Sequence, residues 1–382
     1  MKKRMRRWNF TLCFSFTVAV FIVMLWMSVT EDNGGGTGGA SGGLLYRVAA
    51  PILLLSGVSN LTDTNSNGIS CYDDEASNTV EEITSSTSPP PVKGKSIFFH
   101  ETSCASSIQG GIVLTPRQAC AVESAAKMNP DLEVYLLFTS PINLNNSTAK
   151  NKVVTQLLTY PNIRVRHLNF EKYFMGSPLE EWYKGGALKA SRWPRSHASD
   201  ALRFLTLWKY GGTYLDLDVV VTRSLSGLSN FAGAESNTDV AAGVLNFHSE
   251  GLGHEMAEAC LDNLRSEFKG DDWGNNGPGV ITRVLKKLCK SRHVRDMTPE
   301  RCRGFAVLPP SAFYPIPWRQ WKLYFDESSS AKTMARLKNS LAIHVWNKFS
   351  VTMNVTVGSR QPYGLIAQEY CPRVYAHCGP VF

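Results

Sequence analysis

The stretch GGTYLDLDVV, residues 211–220, places two carboxylates, Asp216 and Asp218, one residue apart in a run that otherwise reads as a buried strand. Burying an ionised carboxylate is costly, and two side by side repel each other. A divalent cation relieves both penalties, and hard oxygen ligands suit Mn²⁺, with Mg²⁺ as the alternative. A metal with open positions can grip the diphosphate of a nucleotide and stabilise the charge of a departing phosphate. That chemistry belongs to sugar transfer from a nucleotide sugar. A bare Asp-x-Asp is a weak signal, since an isolated one reads first as a solvated strand end. The flanking elements decide its weight.

Side chains alternate along a strand, so Tyr214, Asp216 and Asp218 are expected on one face and Leu215, Leu217 and Val219 on the other. The two acids would then stand ~6–7 Å apart, pointing into one space. Upstream, RSHASDALRFLTLWKYGG repeats Ala201, Leu202, Leu205 and Trp208 at helical spacing. Ser196 or Ser199 is expected to cap that helix, and Gly211 to close it with a left-handed residue. Asp200 and Arg203 share one face near its start, which by itself reads as a surface ion pair worth under about 1 kcal/mol. Earlier still, KSIFFHETS, LEVYLLFT and NIRVRHLN read as strands and QACAVESAAKMNP as a helix stopped by Pro130. Strands alternating with helices imply a parallel α/β sheet with ligands at the carboxyl ends of its strands.

The chain has 382 residues and a formal charge of +8. That charge invites a nucleic-acid partner, but its placement excludes one. Five of the charges are Lys2, Lys3, Arg4, Arg6 and Arg7, directly before an uncharged apolar run from Trp8 to Val29. This run is long enough to span a bilayer. Glu31 and Asp32 follow it, so residues 1–7 read as a cytosolic tail and 8–29 as an uncleaved signal anchor. Residues 30–94, rich in Gly, Ser, Thr and Asn, read as a flexible luminal stem, and 95–382 as the catalytic head. An apolar patch within the stem, LLYRVAAPILLL, is too short to cross. Eight cysteines lie beyond the anchor, compatible with disulfides in an oxidising compartment, though their connectivity is not legible. The sequons at Asn60, Asn145, Asn146 and Asn354 agree weakly with that topology.

The block SDALRFLTLWKYGGTYLDLDVVV resembles the DXD-bearing sugar-binding region of glycosyltransferase family 32. WGNNGPGVITRVLKKLC, RGFAVLPPSAFYPIPWRQWKLYF and LAIHVWNK narrow the resemblance to the alpha-1,4-galactosyltransferases and alpha-1,4-N-acetylglucosaminyltransferases. It covers roughly residues 95–375 and leaves out the stem. It implies a type II Golgi membrane enzyme with a GT-A fold, a Rossmann-like mixed, mostly parallel sheet flanked by helices. It implies Mn²⁺-dependent, retaining transfer from UDP-galactose or a UDP-N-acetylhexosamine to a glycolipid acceptor. Asp216 and Asp218 match the DXD pair, and Asp200 and Arg203 match residues that hold the donor sugar. His344 looks like the late histidine that completes the metal sphere; a buried structural histidine is its rival. Thr102 and Ser103 end the first strand, where GT-A folds hold the nucleotide.

The turn GNNGP carries Asn275-Asn276 where the galactosyltransferases show a pair resembling His-Gln. The resemblance puts the Asn276 amide beside the anomeric carbon and Gly277 against the donor. An amide is no nucleophile, which favours front-face attack. Double displacement needs a carboxylate, for which Glu235, Asp239, Asp271 and Asp272 are candidates. Trp193, Trp273, Trp318 and Trp321 are candidate platforms for acceptor sugars, each with packing as its rival. Two other classes stay in view: a catalytically silent partner of another transferase, and a glycoside hydrolase with paired carboxylates.

Overall fold

The computed structural model describes residues 68–73, 79–143 and 151–382. The expected anchor, 8–29, and most of the expected stem lie outside the described residues. Among the described residues, no helix is long and apolar enough to cross a membrane.

The sheet is mixed and mostly parallel. Its strands are β1 (Ser96–Glu101), β2 (Glu133–Phe138), β3 (Ile163–His167), β4 (Gly212–Leu215), β6 (Phe231–Ala234), β7 (Val240–Phe247) and β8 (Ala306–Leu308). They lie in the order β3-β2-β1-β4-β7-β6-β8, and β5 (Val219–Val221) pairs separately with β9 (Ala342–His344). The pairs β2–β3, β1–β2, β1–β4 and β6–β8 are parallel, and β7 runs antiparallel to both β4 and β6. Both faces of the central strands are covered, which is why β1 and β2 read as near-continuous apolar runs. Alternate residues of β1 serve opposite layers: Ile97 and Phe99 join one core cluster, Phe98 the other.

Four helices matter for the site. Helix α1 (Pro116–Met128) starts from a Thr115–Gln118 capping box. Helix α2 (Pro194–Tyr210) begins with Pro194 after Trp193, with no side-chain cap; neither Ser196 nor Ser199 caps it. Proline at the first helical position already suits the unpaired donors there. The stripe Ala201, Leu202 and Leu205 is fully buried and Trp208 is half-buried. Phe204 and Leu207 are buried too, because α2 is packed between the sheet and α3 (Gly251–Glu267). Helix α4 (Pro278–Leu288) follows the GNNGP turn.

The Gly-Gly pair after α2 has a steric cause. Both residues have positive φ, +62° and +89°, although ψ at Gly211 is −159° and not the left-handed helical value expected. A Cβ at Gly212 would meet the Ser96 carbonyl oxygen at 2.3 Å, and one at Gly211 the Ser249 backbone nitrogen at 2.6 Å. Only glycine lets β4 enter between β1 and β7 here.

Part of the expected stem is folded onto the head. Ile69, Cys71, Tyr72, Val80 and Ile83 are buried, Cys71 is bonded to Cys104, and Tyr72 stacks on Phe170 at 4.3 Å. The Ile83 N–H donates to the His167 carbonyl at the sheet edge. A few apolar anchors and one cross-link offset the polarity on which the stem reading rested. Cys120–Cys371 and Cys289–Cys302 are also bonded, and Cys260 and Cys378 are free. Cys120–Cys371 joins α1 to the C-terminal segment across 251 positions. Its removal by Cys371→Ser should lower stability by about 2–5 kcal/mol, read as the urea midpoint of the detergent-solubilised chain.

Candidate active site

The carboxyl end of β4 does not continue as a strand through the two acids. After Leu215 the chain turns, with the Val219 N–H donating to the Asp216 carbonyl at 3.0 Å, and resumes as β5. Strict alternation therefore fails at Asp216–Asp218. The turn nevertheless brings both carboxylates to one point, because β5 pairs with β9 and delivers His344 opposite Val219. His344 Nε2 stands 3.3 Å from Asp218 Oδ1 and 3.7 Å from Asp216 Oδ2. One ligand atom from each of the three lies within 4.8 Å of the others.

The backbone is shaped around this triad. Trp346 takes a left-handed conformation, φ 60°. Such a conformation in a bulky residue persists only where its surroundings hold it. It turns the chain so that the Asn347 N–H donates to Asp218 Oδ2 at 2.7 Å, and the Trp346 N–H meets His344 Nδ1 at 3.3 Å. Across the site, Gly243 in β7 makes room: a Cβ there would fall 2.8 Å from Asp216 Oδ2 and 3.1 Å from His344. A glycine inside the strand pattern AAGVLNF is the sequence signal for that approach.

Arg203 connects the triad to α2. Its guanidinium donates to Asp216 Oδ1 at 3.0 Å, to the Ala242 carbonyl at 2.8 Å and to Ser199 Oγ at 3.0 Å. It also pairs with Asp200 Oδ1 at 3.1 Å. Tyr214 OH donates to Asp216 Oδ1 at 2.7 Å, and Arg203 lies over the Tyr214 ring. Asp200 and Arg203 are both buried, so the surface-pair reading of these residues does not hold.

These contacts set the protonation of the site. Burial pushes the Asp200 carboxyl up to about 7, and Arg203 only partly offsets it. Burial acts on Asp216 in the same direction and is the largest single effect, but the Arg203 charge, His344 and the Tyr214 hydroxyl together outweigh it and hold Asp216 well below the usual carboxylate range. Asp218 is raised by burial and by the like charge of Asp216, with His344 opposing. Burial disfavours a charged His344, yet Asp218 and Asp216 outweigh burial and raise its pKa. A cation taking Nε2 must displace that proton, which ties metal binding to proton release.

Asp200, Arg203, Asp216, Asp218 and His344 line one cavity of about 670 Å³, and Thr102 and Ser103 line it as well. Ser103 N–H donates to the Glu101 carboxylate at 2.9 Å, and the Thr102 carbonyl accepts from Tyr72 OH at 2.6 Å. Sequence reasoning missed Glu101 and Tyr314 as lining residues. Of the four candidate nucleophiles only Glu235 lines the cavity; Asp239, Asp271 and Asp272 are exposed to solvent elsewhere. Of the four tryptophans, Trp273 and Trp318 line it. Trp193 sits at the start of α2, and Trp321 packs edge-on against Phe325.

Two expectations fail here. Asn276 is fully buried and does not reach the cavity. Its Oδ1 accepts from Lys269 N–H at 3.0 Å and its Nδ2 donates to the Lys269 carbonyl at 2.7 Å. Both polar ends bond to the Lys269 backbone, and Oδ1 accepts from Asn275 Nδ2 as well; Asn276 clamps the loop before α4. Gly277 does not line the cavity either. It is instead the surface against which Asp200 packs: a Cβ there would lie 2.2 Å from Asp200 Oδ1. Gly277→Ala should therefore displace Asp200 and lower kcat/KM by about 10–100-fold with the circular dichroism unchanged, a misplacement effect read by donor-sugar kinetics.

Two family descriptions match this chain. Residues 115–238 match the description "Glycosyltransferase sugar-binding region containing DXD motif", and residues 249–378 match "Alpha 1,4-glycosyltransferase conserved region". Lactosylceramide 4-alpha-galactosyltransferase of Rattus norvegicus is 34% identical over 67% of this chain and 70% of its own length. The chain belongs to the alpha-1,4-glycosyltransferase family. Within it, the Homo sapiens lactosylceramide 4-alpha-galactosyltransferase is 33% identical over 75% of this chain and 79% of its own length. The Homo sapiens alpha-1,4-N-acetylglucosaminyltransferase is 28% identical over 67% of this chain and 74% of its own length. Among solved structures, "PaToxG Glycosyltransferase" is similar with a TM-score of 0.38 at 16% identity, covering 77% of this chain and 91% of that chain. The matched DXD region spans Asp216 and Asp218, the two acids of the acid–histidine cluster.

Proposed function

We propose that the chain transfers galactose or an N-acetylhexosamine from a UDP-sugar, with retention, to form an alpha-1,4 linkage on a lactosylceramide-like glycosphingolipid. The observation that carries this reading is the convergence of Asp216, Asp218 and His344 on one point of the cavity, beside the buried Asp200–Arg203 pair. The residues present fit a divalent cation: two carboxylates and an imidazole, with the Gly243 backbone leaving the space. Bound there, Mn²⁺ or Mg²⁺ supplies positive charge for the diphosphate of the donor.

The chain's own residues supply the rest. Thr102 and Ser103, at the carboxyl end of β1, hold the nucleoside in the manner of a GT-A fold. Asp200 and Arg203 accept from and donate to hydroxyls of the donor sugar. Arg203, fixed by Asp216 and the Ala242 carbonyl, keeps that orientation without reorganising. The acceptor hydroxyl attacks from the face the diphosphate leaves, and its proton passes to the departing phosphate oxygen. The resemblance and the N-terminal apolar run support a type II Golgi membrane enzyme with a luminal head.

The test uses the full chain in detergent with UDP-galactose, UDP-N-acetylgalactosamine or UDP-N-acetylglucosamine, and lactosylceramide. One donor is expected to give an alpha-1,4-linked product. EDTA should abolish it, and Mn²⁺ should restore it better than Mg²⁺. Transfer that is indifferent to EDTA would remove the metal assignment. Absence of product from every donor would remove the acceptor assignment.

A further inference from the structure

The mouth of the cavity carries apolar surface that binding a sugar headgroup does not require. Ten large hydrophobic side chains are exposed among the described residues. Three of them, Trp273, Trp318 and Phe349, line the cavity, and a fourth, Val351, lies two residues past Phe349. Trp318 and Phe349 stack at 5.4 Å while remaining 38% and 39% exposed, so they cover each other and still face water. Val351 is 72% exposed and does not line the cavity. A branched aliphatic chain offers no ring to stack on a pyranose, so a sugar platform does not account for it.

The charges that lie over the rings here are cationic. Arg319 lies 4.8 Å from the Trp318 ring centre, and Lys348 lies over Trp273 at 3.0 Å. Lys322, four residues past Trp318, is exposed and lies 5.9 Å from the Trp321 ring centre. Asp271 and Asp272 precede Trp273, and Lys348 is the cation that faces that ring. Three basic side chains, Arg319, Lys348 and Lys322, thus stand against the rings of Trp318, Trp273 and Trp321. Indole rings flanked by aliphatic side chains and basic groups are the chemistry of a lipid headgroup interface. Exposed apolar surface continuous with a site mouth marks a contact surface rather than ordinary solvent-facing residues.

We propose that Trp318, Phe349 and Val351, with Arg319, Lys322 and Lys348, form a docking rim that seats the cavity mouth on a phospholipid surface. The rim deepens the proposed function and rests on it for its purpose: a sugar headgroup projecting from a bilayer enters a cavity already pressed against that bilayer. The apolar side chains enter the headgroup layer, and the basic groups meet phosphate and carboxylate oxygens of the lipids.

The experiment compares two acceptors with the full chain reconstituted in phosphatidylcholine vesicles containing phosphatidylserine. One is lactosylceramide held in the vesicle; the other is methyl lactoside in solution. Val351→Asp, and Arg319→Glu with Lys322→Glu, change rim residues that do not line the cavity. Each is expected to raise the apparent KM for the vesicle-held acceptor about fivefold or more while leaving the KM for methyl lactoside unchanged. Equal changes for both acceptors would assign these residues to the sugar site and overturn the rim. No change for either would make them a plain solvent face and overturn it too. A second readout is independent of transfer. Val351→Cys, in a chain with Cys13→Ser and Cys378→Ser, is labelled with an environment-sensitive fluorophore. Its emission should shift to the blue in vesicles and be quenched by lipids carrying a nitroxide. An unshifted, unquenched label overturns the rim whether or not the enzyme is active. A shifted label in a chain that transfers to neither acceptor would instead sink the proposed function and leave the docking standing.

Discussion

Asp218→Asn should abolish transfer, by about 10²–10³-fold or more, and leave the head folded. The two halves of that expectation have different causes. Asn keeps the shape of the side chain and an oxygen that can still accept the Asn347 N–H, now made by Asp218 Oδ2 at 2.7 Å. The turn that carries Trp346 and Asn347 therefore keeps its anchor. What is lost is one of two negative charges facing His344. Asp218 is raised in pKa by burial and by Asp216, so its charge by itself costs the fold stability. Neutralising it should leave the unfolding midpoint unchanged or slightly higher. The metal site, by contrast, loses an anionic ligand. Transfer kinetics and the Mn²⁺ affinity, read by electron paramagnetic resonance of the free ion, should fall together while the urea midpoint does not. Turnover at the wild-type rate would remove the metal assignment.

The sequence and the fold agree most where local steric needs leave a residue signature. Gly211 and Gly212 are legible because the approach to Ser249 and Ser96 admits nothing larger. Asp216 and Asp218 are legible because an acid pair in an apolar run has no cheap structural explanation. The turn between them was not legible: LDLDVVV has the composition of a continuing strand, and only the pairing of β5 with β9 shows why the ladder changes partner. Arg203 illustrates the other limit. Its spacing from Asp200 is visible in α2, but its bond to Asp216, thirteen positions on, exists only because α2 packs beside β4. Asn276 misled for a related reason. An amide in a glycine-rich turn looks available, and nothing local reveals that the Lys269 backbone takes both its ends. The folded segment at 69–72 escaped notice because a disulfide and a few buried side chains can hold a polar stretch whose composition reads as disordered.

Arg203→Met should damage stability as well as activity, and the two losses can be separated. The guanidinium is the only cation shown pairing with Asp200 among the described residues, and it is shared with Asp216. Removing one partner of a buried ion pair leaves uncompensated charge and costs about 3–5 kcal/mol. Here it leaves two carboxylates, so the upper part of that range is expected. The pH dependence has a definite sign. Without Arg203 the Asp200 carboxyl, already raised by burial, titrates still further above its unfolded value. A raised folded pKa stabilises below the unfolded value, about 4, and that contribution is lost as pH rises. Asp200 is already pushed up to about 7 with Arg203 present, so the window runs from about 4 to 7 or above. Urea midpoints of the detergent-solubilised, EDTA-treated chain should therefore differ from wild type more at pH 7.5 than at pH 5. Adding Asp200→Asn to Arg203→Met should recover part of the stability, since one buried charge is gone, and none of the transfer, since the donor sugar then has neither partner on α2. A variant whose stability deficit is the same at both pH values, or that is not relieved by Asp200→Asn, would show that Arg203 holds the helix by packing on Tyr214 rather than by balancing the acids. The charge account would then fail, and with it the reason a cation is needed beside Asp216.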